Sequence, residues 1–409
     1  MKQSLILFTA EYPFGSGETF LETEIKFLSE GFDKVIIVSQ SDRANHSRTV
    51  PANCEVRRIN LSISRSQKLS ALKNVFNPIF WKEKRIIQTV YNQKFSKGIF
   101  STMLISLYRA KKLKKYCNKL CNEEGATSKL VFYSYWCDDV ALGLALLQKN
   151  HDEITCFSRM HGWDVYFEAS SLNYLPYRHF IAENLKALYA ISEKGKEYTA
   201  ESWKISNPEK VKVSRLGVSE QNPVVSNSEE FILVSCSNVI PLKRVDLIVR
   251  SLAELKDVPL KWVHFGDGPE LEKVKLLALN LLPEKIVADF KGRVGNKEIL
   301  EWYAENNPNL FINVSTTEGI PVSIMEAMSF GIPVIATNVG GTSEIVNEVN
   351  GVLLKPNPSI QEVSDAVHFF VNLNEENKSK FRLATKSKWE SDFNAENNYK
   401  TFCASIQAL

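Results

Sequence analysis

The stretch Asn309–Val346, NLFINVSTTEGIPVSIMEAMSFGIPVIATNVGGTSEIV, decides the reading of the fold. Leu310 to Val314 is a short apolar run of the kind that forms a buried strand. The polar turn Ser315–Gly319 leads to Pro321, which suits the first turn of a helix because its missing N–H had no partner there. Val322, Met325, Ala327 and Met328 keep helical spacing until Gly331 and Pro333 stop it. Val334-Ile335-Ala336 is a second strand, and Gly340-Gly341 leads to a further helix near Glu344. Strand, helix, strand and helix in this order make a parallel βαβ unit. Open α/β sheets bind ligands outside the carboxyl ends of their strands.

The chemistry therefore belongs to the turns. Backbone N–H groups at the helix starts after Gly319 and after Gly340-Gly341 can hold a diphosphate without a basic side chain. Glu318 precedes the helix and Glu326 lies within it. Two carboxylates flanking an anion site make sense as acceptors for sugar hydroxyls; taken singly, Glu318 would more readily be a helix cap and Glu326 a solvated face residue. The run EGIPVSIMEAMSFGIPVIAT resembles the signature of the family-4 retaining glycosyltransferases, which have the GT-B fold, an α/β architecture of two Rossmann-like doubly wound domains facing a central cleft. The resemblance gives Glu318 a contact with the donor sugar and Glu326 the ribose hydroxyls, with Gly319, Ile320, Pro321 and Val322 around the donor.

At 409 residues the chain is too long for one ordinary core, and two domains are expected. A net charge of +3 gives no reason to expect nucleic acid. Seven cysteines without a CxxC pair suit reduced thiols in a cytoplasmic protein. The opening MKQSLILFTAEYPFG reads as a first strand rather than a signal peptide, and no stretch is long enough to cross a bilayer. The expected location is cytoplasmic, with at most peripheral contact at the inner face of the cytoplasmic membrane. Between Lys82 and Lys119 basic side chains such as Lys111, Lys112, Lys114 and Lys115 alternate with aromatic ones, and Glu83 is the lone acid. That run is either a solvated helix face or a contact for anionic lipid head groups or a lipid-diphosphate acceptor.

Along the chain, a strand to Thr9 is followed by Tyr12–Gly17 and a helix opening near Glu18. In the resembling enzymes, among them the colanic-acid and amylovoran type of exopolysaccharide glycosyltransferase, this GETF loop lies near donor phosphates and acceptor, which makes Gly15, Gly17 and Glu18 site candidates. A strand over Ile154–Ser158 ends in His161-Gly162-Trp163-Asp164, similar to the family's HGxD element; His161 would face the donor sugar and Asp164 the acceptor side. RLGV, at Arg215–Val218, resembles the family hinge. The expected domains are 1–218, a linker 219–230 and a nucleotide-sugar domain 231–385, with the terminal segment 386–409 a helix crossing back to the first. In the second domain the family's loop carries an Arg and a Lys that neutralise the diphosphate. Lys243 matches the Lys, but Asn238 stands where the Arg belongs, so Arg244 or Arg293 would have to supply the missing charge. Gly266 closes a tight turn after another strand, and Arg293 and Val294 fall where the family seats the nucleobase.

The resemblance implies transfer of a sugar, with retention, from a nucleotide-diphosphate donor to a saccharide hydroxyl, the acceptor being lipid-linked, in bacterial exopolysaccharide, capsule or O-antigen assembly. No cofactor or metal is expected, because helix termini and Lys243 can do a metal's work at the diphosphate. The departure at Asn238 leaves room for a non-catalytic partner of a glycosyltransferase, and the fold leaves room for a sugar-nucleotide 2-epimerase.

Overall fold

The computed structural model describes residues 2–15, 17–45, 47–125, 128–151, 153–221 and 230–409. Most of the linker expected at 219–230 lies outside the described residues. The chain divides into two compact units, Met1–Leu216 with Asn397–Leu409, and Gly217–Glu396.

In the first unit the described residues form seven strands: β1 (Lys2–Thr9), β2 (Lys34–Ser39), β3 (Cys54–Arg58), β4 (Ser128–Ser134), β5 (Thr155–Met160), β6 (Ala187–Ala190) and β7 (Val211–Val213). Their order is β3-β2-β1-β4-β5-β6-β7, and each pairing is parallel. The intervening helices are α1 (Leu21–Gly31), α2 (Arg65–Ala71), α3 (Pro78–Thr89), α4 (Lys97–Glu124), α5 (Asp139–Gln148), α6 (Arg178–Asn184) and α7 (Glu193–Ser202). Parallel strands covered on both faces read as unbroken apolar runs, and β1 shows why. Its Ile6 and Phe8 enter one core with α4 and α5, while Leu5 and Leu7 enter another with α1. Helix α5 is buried from Val140 to Gln148, in keeping with its almost wholly apolar sequence.

The second unit carries β8 (Ile232–Cys236), β9 (Leu260–Phe265), β10 (Ile286–Gly292), β11 (Leu310–Asn313), β12 (Val334–Thr337) and β13 (Gly351–Leu354), again all parallel. Their order, β10-β9-β8-β11-β12-β13, reverses direction between β8 and β11. The helices are α8 (Val245–Leu252), α9 (Leu271–Leu281), α10 (Asn296–Asn306), α11 (Val322–Ser329), α12 (Thr342–Ile345), α13 (Ile360–Val371) and α14 (Glu375–Asp392). The polar tail expected to hold one terminal helix holds two. Trp389 is buried in α14 of the second unit, whereas Tyr399 and Phe402 are buried on α15 (Ala395–Gln407), whose residues from Asn397 belong to the first. Among the described residues, no helix is long and apolar enough to cross a membrane.

The first unit also buries an ion pair that sequence patterning does not show. Glu24 on α1 and Arg159 on β5 meet with both side chains fully enclosed. Tyr133 donates its hydroxyl to Glu24 Oε1 at 3.0 Å, and Arg159 Nη2 donates to Ser214 Oγ at 2.7 Å. The guanidinium lies 4.3 Å from the ring centroid of Phe402, so the pair also receives α15. Burial pushes the Glu24 carboxyl up, opposed by Arg159 and Tyr133. Removing one partner of such a pair leaves a buried charge uncompensated, whereas replacing both with apolar side chains is often tolerated. Glu24→Ala should therefore lose about 3 to 5 kcal/mol in denaturant unfolding, and Glu24→Leu with Arg159→Met should lose clearly less; equal losses would show that the charges do not act as a pair.

Candidate functional site

In the second unit, the segments that follow β8, β9, β10 and β11 converge on one cleft of about 730 Å³. It lies where the strand order reverses, at the carboxyl ends of the strands, the usual ligand position in an open parallel sheet. Asn238, Lys243, Gly266, Arg293, Val294, Glu318, Ile320, Pro321 and Val322 all line it, as do Cys236 and Phe265, which sequence reasoning passed over. Gly266 has φ +147°, and a Cβ there would stand 1.8 Å from the Ser237 carbonyl oxygen, so the turn after β9 requires glycine.

The electrostatics centre on one contact. Lys243 Nζ lies 2.6 Å from Glu318 Oε1, and Asn313 Nδ2 donates to the same oxygen at 3.2 Å. Asn313 is held in turn by Ser315, whose hydroxyl donates to its Oδ1 at 2.6 Å. The base and the acid read from sequence as separate ligand contacts are thus each other's partners here. Glu326, on α11, accepts from Asn296 Nδ2 at 2.6 Å. Burial pushes its carboxyl up to about 7, against the opposing pull of the Asn296 amide. The only sequence signals for Asn313 and Asn296 were an amide closing an apolar strand and another opening a helix after Gly295.

Two expectations change. Arg244 does not line the cleft. Its Nε donates to the Val314 carbonyl at 2.6 Å, and Nη2 donates to the carbonyls of Ser315 and Pro356 at 3.0 and 2.9 Å. The guanidinium therefore ties together loops at the strand ends, while Arg293 is the arginine that reaches the cleft. Nor is the Gly341 amide, at the second expected anion site, free for a ligand. The Gly341 amide donates to the Gly319 carbonyl at 2.8 Å, and α12 is only four residues long. A Cβ at Gly340 would lie 1.7 Å from the Glu318 carbonyl oxygen, so this glycine lets the loop pack against the Glu318 turn.

In the first unit, the ends of β1, β4 and β5 bring the glycine loop and the HGWD element together. His161 lies against Trp136 and Tyr135, with ring centroids 4.4 and 4.5 Å away, and the Trp163 ring lies tilted 5.3 Å from Trp136. Among the described residues neither buried ring nitrogen of His161 has a hydrogen-bond partner, and Nδ1 is 3.9 Å from Asp164 Oδ2. Unpartnered buried polar atoms are costly, and the imidazole is held in this position by its aromatic neighbours rather than by hydrogen bonds. Asp164 is fully buried and does not present itself to an acceptor. Its carboxylate accepts from the amides of His161 at 2.8 Å, Gly162 at 2.9 Å and Cys137 at 2.9 Å, and so fixes the turn that carries His161. Burial would raise the Asp164 carboxyl, but His161 and these amides bring it below its ordinary value.

Glu18 is likewise structural. Its carboxylate accepts from the amides of Ala10, Glu11 and Tyr12 and from Trp136 Nε1, all at 2.7 to 2.8 Å. The loop it closes leaves no room for a side chain at Gly15, where a Cβ would overlap the Glu11 carboxylate, and the Gly17 amide donates to that carboxylate at 3.2 Å. Glu18 thus acts on His161 through Trp136. Trp136 was visible in the sequence only as the aromatic end of a strand.

Residues 219–387 match the family model of glycosyl transferases group 1. This stretch is a glycosyl transferases group 1 domain. The group 1 domain thus contains the whole of the lined cleft. Over 257 residues, covering 62% of this chain and 47% of the relative, the sequence is 25% identical to the UDP-N-acetylglucosamine–peptide N-acetylglucosaminyltransferase GtfA subunit of Streptococcus parasanguinis. It is 26% identical over 215 residues to WcaL of Escherichia coli K12, which is named for colanic acid biosynthesis, covering 49% of this chain and 52% of that one. The chain thus spans about half the length of these curated relatives. Among solved structures, Anabaena HepE in complex with UDP-glucose superposes with a TM-score of 0.65 over all of both chains at 14% identity. That likeness and the two parallel sheets give the chain a GT-B fold.

The raised Glu326 carboxyl has a measurable consequence. Unfolded, it loses its proton near the ordinary value of 4.5, but folded it keeps it to about 7. The folded state then binds the extra proton, so the stability this group contributes is present at low pH and is lost as pH rises through that interval. Glu326→Gln, which keeps the acceptor for Asn296, removes the dependence. Its melting temperature relative to wild type should rise between pH 5 and pH 8; a constant difference would show that Glu326 ionises normally.

Proposed function

We propose that the protein is a retaining glycosyltransferase that moves a sugar from a nucleoside-diphosphate donor to a hydroxyl of a lipid-linked saccharide, on the cytoplasmic side, in bacterial polysaccharide assembly. The observation that carries this reading is the cleft at the β8/β11 reversal, which gathers Lys243, Arg293, Glu318 and the first turn of α11. In the reaction the acceptor oxygen bonds to the anomeric carbon as that carbon's bond to the phosphate oxygen breaks. The diphosphate leaves with the bonding electrons, and the hydroxyl proton passes to it or to water. Charge grows on the leaving phosphate, where preorganised donors and cations act most strongly. Lys243, Arg293 and the α11 amides supply them, so transfer should need no metal ion. Glu318 and Glu326 serve the hydroxyls of the sugar and the ribose. The polysaccharide setting is supported by WcaL, and a UDP-linked donor by GtfA.

Incubation with radiolabelled UDP-sugars, with and without membrane-extracted acceptor, tests the reaction class. Label should enter the acceptor, and chelator should leave the rate unchanged; a new sugar nucleotide formed from donor alone would mean epimerisation instead. His161→Ala should retain nucleotide affinity while losing turnover, and Glu326→Ala should weaken nucleotide binding by about 1.5 to 3 kcal/mol, the worth of a hydrogen bond to a charged group.

The two arginines should separate. A guanidinium on phosphate is a strong, often bidentate contact, so Arg293→Ala should lower kcat by at least roughly tenfold, about 1.4 kcal/mol. Arg244→Ala should lower thermal stability and leave kcat nearer to wild type. The reverse pattern would return the phosphate contact to Arg244.

A further inference from the structure

The segment Arg65–Val90 buries Ala71, Phe80 and Ile87, yet it also turns polar groups inward and large apolar ones outward. The 3-10 turn Leu72–Phe76 and α3, which follow α2, each carry a buried polar group beside that apolar packing. Asn74 is buried, donating to the Leu104 carbonyl at 3.1 Å and accepting from Lys111 Nζ at 2.7 Å. Glu83, the one acid of the segment, is buried and accepts the Tyr174 hydroxyl at 2.7 Å. Outward, the same segment shows Leu69, Leu72, Phe76, Trp81 and Val90, with Leu69 70% and Phe76 85% exposed. The Trp81 indole is pinned there by its N–H, which donates to the Val75 carbonyl at 2.7 Å.

Around this ridge stand Arg65, Lys68, Lys73, Lys82, Lys84 and Arg85, none of which forms an ion pair among the described residues. Lys84 instead lies over the Trp81 ring, with Nζ 4.8 Å from its centroid. The lysines of α4, by contrast, are partly drawn inward. Lys111 is held by Asn74, and burial lowers the ammonium groups of Lys111 and Lys114.

We propose that the outer face of Arg65–Val90 docks the protein on an anionic lipid bilayer, with Leu69, Leu72, Phe76 and Trp81 entering the head-group boundary and the six cations meeting lipid phosphates. An apolar ridge rimmed by unpaired cations, with its only acid turned inward, matches that surface in both of its terms: apolar insertion and attraction to negative head groups. Tryptophan settles at this depth because its ring is amphipathic. The assignment deepens the lipid-linked acceptor reading by naming where the protein meets the membrane, and its test uses neither donor nor acceptor, so each can fail alone.

The full chain is sedimented with vesicles of phosphatidylglycerol and phosphatidylcholine, and with vesicles of phosphatidylcholine alone. Binding to the anionic vesicles should be at least tenfold tighter. Leu72→Asp with Phe76→Asp should reduce it at least tenfold with an unchanged thermal melt, while Leu279→Asp, at an exposed apolar side chain of the second unit, should not. Lys73→Glu with Lys84→Glu gives a second reading should the first variant fail to fold, and should lower binding equally. No vesicle binding by wild type, equal binding to neutral vesicles, or full binding by the ridge and charge variants would overturn the proposal. A lipid-free dimer dispersed by the ridge variant would overturn it in favour of a second copy of this chain.

Discussion

Parallel pairing is the constraint on which the rest of the molecule depends. A parallel strand cannot be reached by a tight hairpin, so each connection must travel the length of the sheet, usually as a helix. All strand carboxyl ends then fall on one edge, and the loops there are free to carry chemistry while the sheet faces supply stability. Both units show this separation. Strand interiors such as Leu5–Phe8 and Leu310–Ile312 are buried, whereas Lys243, Glu318 and His161 all stand just beyond strand ends.

The second unit was more legible than the first for a physical reason. Its strands are short apolar runs bounded by glycine, proline or polar turns, and its site residues sit in one of those turns at fixed distance from a helix start. Residues 41–128 lack such punctuation. The edge strand β3, CEVRR, is only partly buried, so it shows little of the apolar run that marks an inner strand. Leu69 on α2 and Leu72 and Phe76 in the 3-10 turn after it face outward and mislead any reading that equates apolar with core.

Side-chain destinations were harder still. Arg244 follows a phosphate-site lysine in sequence, but its left-handed backbone, φ +49°, separates it from that neighbour and sends its guanidinium to carbonyl oxygens. Glu18 and Asp164 look like site carboxylates because they lie in site loops. Each is filled by backbone amides instead, and sequence spacing does not distinguish a carboxylate that binds a ligand from one that builds the loop. The Glu24–Arg159 pair escaped for the converse reason: its members lie far apart in sequence, each inside an otherwise ordinary element.

The contact between Lys243 and Glu318 sets what an incoming ligand would have to replace in the cleft. A simple anion such as inorganic phosphate, drawing Lys243 to itself, would leave the Glu318 carboxylate with Asn313 as its remaining donor and a second negative charge nearby. A molecule that presents phosphate oxygens and sugar hydroxyls together can take both partners at once. On the proposed reading, the pair would favour a ligand that carries both functional groups on one frame over a small anion that satisfies the lysine alone.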